Sequence, residues 1–137
     1  MDDAAGGEGR QKTLVLTGAS RGIGHATVKR FSAAGWRVLT CSRQPFDARC
    51  PWPGGEDNHV QVDLSDPHDT MRAIEVIREK VDGRLEALVN NAGISPKGED
   101  GGRLNTIDTD LRVWGKVFHV NFFAPIVLAR GLVDELW

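Results

Sequence analysis

A chain of 137 residues, 40% of them hydrophobic, is long enough for one ordinary domain, and a domain of this size buries about two thirds of the surface its unfolded chain exposes. The formal net charge is −2 with Lys and Arg scattered along the chain, so there is no basic footprint for nucleic acid or an anionic membrane. The start "MDDAAGGEGRQK" lacks the basic and apolar regions of a secretion signal, and no later segment offers 18 uninterrupted apolar residues. Together these features predict a cytoplasmic protein with small-molecule partners, neither membrane nor nucleic acid. Without a secretion signal, Cys41 and Cys50 are expected to be free thiols.

Met1 to Gln11 is small, acidic and glycine-rich and reads as a disordered tail, leaving 12–137 as the domain. Lys12 to Thr17 is a nearly continuous apolar run, as in a parallel strand covered on both faces. Gly24 to Ala34 then carries Ala26, Val28, Phe31 and Ala34 at roughly helical spacing and is stopped by Gly35. The next strand is Arg37 to Cys41. A third, His59 to Val62, follows the linker "QPFDARCPWPGGEDN", whose three prolines and paired glycines forbid a regular helix through most of it.

Beyond "DLSDP", Pro67 suits a first helical turn, and Met71, Ile74, Ile77 and Val81 mark one apolar helix face. Leu85 to Asn90 is the fourth strand, ending in "NNAG", and a polar glycine-rich loop from Lys97 to Gly102 leads to a long last helix, about Asp108 to Leu136. Strands alternating with helices imply parallel pairing through right-handed crossovers. The predicted fold is α/β, an incomplete doubly wound Rossmann-type sheet in the order 3-2-1-4, with ligands at the carboxyl ends of the strands. In that order the fourth strand has an unpaired edge, which predicts a piece that is marginal, prone to self-association or disordered near its end.

In "TGASRGIG" the glycines are Gly18, Gly22 and Gly24, directly between strand and helix. Gly18 permits the tight turn, Gly22 leaves no side chain where a phosphate must approach, and Gly24 lets the helix pack close to the sheet. The helix N-terminus then offers unpaired N–H groups and a partial positive charge to a pyrophosphate. An ordinary strand-to-helix turn is the alternative.

The spacing G-x-x-x-G-x-G, with "NNAG" at Asn90 to Gly93 after the fourth strand, resembles the short-chain dehydrogenase/reductase family. The resemblance covers nearly the whole chain beyond the tail. It implies that Gly18, Ala19, Ser20, Arg21, Gly22 and Ile23, closed by Gly24, wrap the pyrophosphate of a nicotinamide dinucleotide. Asp63 and Leu64 would meet the adenine, and Asn91, Ala92 and Gly93 would line the nicotinamide-side ribose. Two plainer readings stay open: Asp63 can cap the second helix together with Ser65 and Asp66, and the asparagines can form a polar turn.

An acid at the end of the second strand binds the ribose 2′-hydroxyl and repels a 2′-phosphate. Here that position is Ser42, followed by Arg43, and no carboxylate is present. Arg21 can close on the same region, and two guanidinium groups suit a phosphate bidentately. NADP(H) is therefore predicted over NAD(H), unless both arginines are solvated surface charges. The missing acid also weighs against a methyltransferase using S-adenosylmethionine.

Leu111, Trp114, Val117 and Phe118 make an apolar stripe, with Asn121 on nearly the same face. Pro125 has no N–H for the Asn121 carbonyl, so a kink is predicted there. In the family, an asparagine within a pattern like "VNFFAP" helps hold a water of the proton relay, and by that resemblance Asn121 takes the role; it could also be only a polar residue at a kink. The family proton donor is a tyrosine in Tyr-x-x-x-Lys, yet the chain contains no tyrosine.

The sequence thus reads as the cofactor-binding half of a carbonyl or alcohol oxidoreductase. It is expected to be inactive alone, because a positioned general acid contributes about 10² to 10⁴ in rate. The alternative is a non-catalytic dinucleotide-binding or interaction module. Pairing of copies through the last helix is a further family expectation. His25, His59, His68 and His119 share no metal-ligand spacing, and the tryptophans are too dispersed for a stacking platform.

Overall fold

In the computed structural model, which describes residues 9–49 and 52–136, Thr13–Thr17 forms β1 with all of its residues buried. Its side chains feed two opposite layers, which is why "TLVLT" shows no polar alternation. Leu14 and Leu16 pack with Val28 of α1 (Gly22–Ala33), and Val15 packs with the helices of the other face. β2 (Arg37–Ser42), β3 (His59–Gln61) and β4 (Ala87–Val89) complete a parallel sheet in the order β3-β2-β1-β4. The predicted fold class and strand order are those observed.

α2 (Pro67–Val81) begins with Pro67 at its first position and Asp66 as its cap, the Asp66 carboxylate accepting the amides of His68 and Asp69. Asp63 is not the cap; it accepts the Ser65 amide and hydroxyl at 2.9 and 2.6 Å. The buried face is Thr70, Ala73, Ile74, Ile77 and Val81. Met71, expected on that face, is 53% exposed, because one residue along a helix turns it by about 100° from Thr70. Replacing Asp66 with alanine is expected to cost about 1 kcal/mol, read as a lower urea midpoint at unchanged slope.

Between β2 and β3 there is no α-helix among the described residues, only a 3-10 turn at Gly55–Asn58. Trp52 ties this connection to the sheet, its indole N–H donating to the Val38 carbonyl at 3.2 Å and its ring meeting Phe46 edge-on at 5.0 Å.

The expected single last helix is instead three pieces: α3 (Leu111–Phe118), a π-turn at His119–Phe123, and α4 (Ala124–Gly131). Pro125 is the physical reason, since it cannot donate to the Asn121 carbonyl. The Ala124 amide accordingly reaches back five residues to the His119 carbonyl, and the helix widens where a kink was predicted. The Leu111–Phe118 stripe exists but is uncovered: no α3 residue is buried, and Leu111 is 82% exposed. Along the outer edge of β4, the described residues supply a parallel bridge from Leu85 to Leu136, with the Leu85 amide 2.7 Å from the Glu135 carbonyl.

Most of the expected disordered tail, Met1 to Glu8, lies outside the described residues. Of the rest, Arg10 donates to the Val81 and Arg84 carbonyls, both at 3.2 Å, and Gln11 to the Gly35 carbonyl at 3.0 Å. Cys41 is a free, buried thiol pushed up to about 12 by burial; Cys50 lies outside the described residues. Among those residues, no helix is long and apolar enough to cross a membrane.

Candidate functional site

A cleft of about 990 Å³ opens at the carboxyl ends of β1, β2 and β3. Its walls bring together four separated sequence segments: Gly18 to Ile23, Ser42 with Arg43, Asp63 with Leu64, and Asn91 to Gly93. Gly24 and Asn121, also expected at the site, do not line it.

The end of β1 and the loop after β4 are stitched together. The Thr17 hydroxyl accepts the amides of Asn91 and Ala92 at 3.1 and 3.0 Å, and the Asn91 amide group donates to the carbonyls of Thr17 and Gly18 at 3.2 and 3.0 Å. Gly18 sits at φ +69°, and a Cβ there would lie 2.8 Å from the Ala92 Cα, so glycine is demanded both by backbone conformation and by close approach. Gly24 is buried by packing, its virtual Cβ only 2.0 Å from the Gly18 carbonyl oxygen.

α1 starts without a side-chain cap and without an acid in its first turn, in contrast to α2. The amides of Ser20 to Gly24 make no hydrogen bond to the described residues, and Gly22 has open space where its side chain would be. Orphan N–H groups at an uncapped helix start, facing a cleft, fit an anion such as a pyrophosphate.

At the end of β2, Ser42 donates its hydroxyl to the Gln44 carbonyl at 3.0 Å. The guanidinium groups of Arg21 and Arg43, both exposed and both on residues lining the cleft, form no hydrogen bond or ion pair with the described residues. The nearby Arg49 is engaged, both carboxylate oxygens of Asp47 receiving its guanidinium at 3.0 Å.

Beyond the end of β3, the Ser65 hydroxyl and amide, with the positive charges of Lys116 and Arg43, hold the Asp63 carboxyl below the usual carboxylate range. Asp63 is therefore an ionised acceptor at neutral pH. Leu64 is buried, and its carbonyl meets His119 Nδ1 at 2.5 Å.

Asn121 is exposed and reaches the cleft wall through Ile94. Its Oδ1 accepts the Ile94 amide at 2.7 Å and its Nδ2 donates to the Ile94 carbonyl at 2.8 Å, so the π-turn holds the backbone just after Gly93 through two bonds. Asn121→Leu removes both; the expected cost is about 1 to 2 kcal/mol, with faster hydrogen exchange at the Ile94 amide.

The sequence reading did not find Lys116, His59 or the Phe46–Trp52 pair at the cleft. Lys116 lies more than fifty residues from Asp63, and no spacing rule links them. Among the described residues there is no cluster of three or more metal-ligating side chains.

Residues 12–137 match the family model for the short chain dehydrogenases. The chain belongs to that family. Among curated relatives, this short-chain dehydrogenase is 55% identical over 130 residues to protein FixR of Bradyrhizobium diazoefficiens, a match spanning 93% of this chain and 47% of FixR. It is 32% identical over 128 residues to the meso-2,3-butanediol dehydrogenase of Serratia marcescens, spanning 91% of this chain and 48% of that enzyme. The chain thus covers about half the length of these relatives.

Among solved structures, it superimposes with a TM-score of 0.88 and 64% identity on a short-chain oxidoreductase from Brucella ovis in complex with a partially ordered NAD, over 92% of this chain and 58% of that one. The NADPH-bound carbonyl reductase from chicken fatty liver is similar at a TM-score of 0.68 and 27% identity, over 92% and 52%.

Proposed function

We propose that this short-chain dehydrogenase is the dinucleotide-binding part of an NADP(H)-dependent oxidoreductase acting on a carbonyl or an alcohol, and that its 137 residues do not catalyse alone. The reading rests above all on the guanidinium groups of Arg21 and Arg43, neither hydrogen-bonded among the described residues, on a cleft whose β2 end carries Ser42 in place of an acid. The Brucella structure holds NAD and the chicken enzyme NADPH, and the two cofactors differ by one 2′-phosphate. Each charge-assisted hydrogen bond to such a phosphate is worth about 1.5 to 3 kcal/mol, so one arginine shifts the preference about tenfold or more.

When bound, the nicotinamide supplies or takes up a hydride. The amides of Ser20 to Ile23 would hold the pyrophosphate, and the ionised Asp63 and Leu64 would meet the adenine. Ser42 spends its proton on Gln44, which leaves the arginines as the donors to a 2′-phosphate. Asn121 commits its side chain to Ile94, so its contribution to a proton relay would come from its backbone carbonyl, which Pro125 cannot engage.

A chain without tyrosine has no family-type donor for the proton a developing alkoxide needs. The same absence favours a second reading, a dinucleotide-binding or interaction module without turnover. Exposed Leu111, Phe118 and Phe122 make the α3–α4 face the surface for a second copy.

Fluorescence titration of the chain with NADPH and NADH tests the assignment. NADPH is expected to bind at least tenfold tighter. Equal affinities would remove the NADP(H) preference, and no binding of either at millimolar concentration would remove the dinucleotide reading.

A further inference from the structure

The segment that leaves β2 and carries Arg43 is braced from β3. Gln61 Nε2 donates to the Arg43 carbonyl at 2.9 Å, and His59 Nε2 lies 2.8 Å from the Gln44 carbonyl. A carbonyl oxygen only accepts, so Nε2 carries the hydrogen; in the neutral ring Nδ1 then accepts from the Thr40 hydroxyl, 2.8 Å away. Thr40 is wholly buried, which anchors the imidazole to the sheet. The ring also meets Phe46 and Trp52, with centroids 6.3 and 6.4 Å apart.

His59 and Gln61 are two residues apart and so project to the same side of β3, while Val60 between them is buried in the core. Both outward side chains of this short strand are spent on the main chain of the neighbouring segment. The need is physical. Parallel pairing of β2 ends at Ser42, and the connection that follows has no α-helix among its described residues. A long side chain magnifies any backbone displacement at its root, and among the described residues the Arg43 guanidinium has no hydrogen bond to hold it.

We propose that His59 and Gln61 are positioning residues for dinucleotide selection, fixing the Gln44 and Arg43 carbonyls so that the Arg43 guanidinium is aimed at the ribose-phosphate end of the cleft. This rests on the NADP(H) reading above. Each acts through the backbone between Ser42 and Pro45, His59 from a place on the cleft wall and Gln61 from outside that lining.

The test uses His59→Phe, which keeps a ring against Phe46 and Trp52 but removes both nitrogens, and Gln61→Met, which keeps length and neutrality but removes the donor. Two readouts are taken on the 137-residue chain: the ratio of NADPH to NADH affinity, and hydrogen exchange across residues 43–49. Each variant is expected to weaken NADPH about fivefold to tenfold, to leave NADH within twofold, and to speed exchange in 43–49 but not in α2. Parallel loss of both dinucleotides would overturn the proposal, because that is what a merely structural role produces. Unchanged exchange in 43–49 would overturn it as well. If the unmodified chain shows no NADPH preference while exchange rises in both variants, the NADP(H) reading has failed and the brace itself stands.

Discussion

Gly24→Ala is expected to leave little folded protein and no measurable NADPH binding. The added methyl would lie 2.0 Å from the Gly18 carbonyl oxygen, 2.8 Å from its carbon and 2.9 Å from the Ala19 Cα. All three are backbone atoms, so no flexible side chain can swing aside. Relief requires α1 to move off the Gly18–Ala19 turn, which opens the contact of Val28 with Leu14 and Leu16. Overpacking costs about 1 to 3 kcal/mol and sometimes more, and here a backbone clash and lost burial add. A loss of about 3 kcal/mol would lower the melting temperature of a domain this size by roughly 10 °C or more.

Gly22→Ala separates folding from binding. Its site is open, but φ is +60°, so the strain is about 1 to 2 kcal/mol. The methyl stands where a phosphate would approach. Melts followed by circular dichroism, paired with NADPH titration, read both variants. A Gly24→Ala chain that melts and binds like the parent would refute the packing role.

Arg43→Asp is expected to invert dinucleotide choice. Removing the guanidinium costs NADPH one or two charge-assisted bonds at about 1.5 to 3 kcal/mol each, and the new carboxylate repels the 2′-phosphate. The combined loss is at least about 100-fold for NADPH. NADH has no 2′-phosphate to lose, and its free 2′-hydroxyl gains an acceptor, so its affinity should hold or rise. The comparison is made at fixed, low salt, because exposed charges are screened over about 10 Å at 0.1 M. Equal loss of both dinucleotides would mean that Arg43 supports the cleft in general and does not read the ribose.

The parallel sheet and its order were legible because β1 and β2 are short apolar runs punctuated by glycine, and that pattern is a local property of the chain. The cleft-lining motifs were legible for a related reason: a tight turn at positive φ, such as Gly18, admits few residues other than glycine. Met71 shows the limit. Its spacing from Ile74 suits a helix face, but the direction of that face was set by where α2 meets the sheet, which only the packed structure contains.

The last helix shows it again. Proline identified the place of the irregularity at Asn121, but not the distant partner of its side chain, which is Ile94. His59 was set aside because its sequence neighbours suggest no ligand set, whereas its partners Thr40 and Gln44 lie on the adjoining strand and loop.

By itself, then, the sequence determined the α/β class, the strand order, the glycine turn between β1 and α1 and the lack of an acid beside Arg43, since each follows from local conformation or residue identity. The tertiary structure alone decided that Asn121 holds Ile94, that Asp66 and not Asp63 caps α2, and that β3 braces the end of β2. Those facts are contacts between segments distant along the chain, and short-range patterning carries no record of which surfaces will meet.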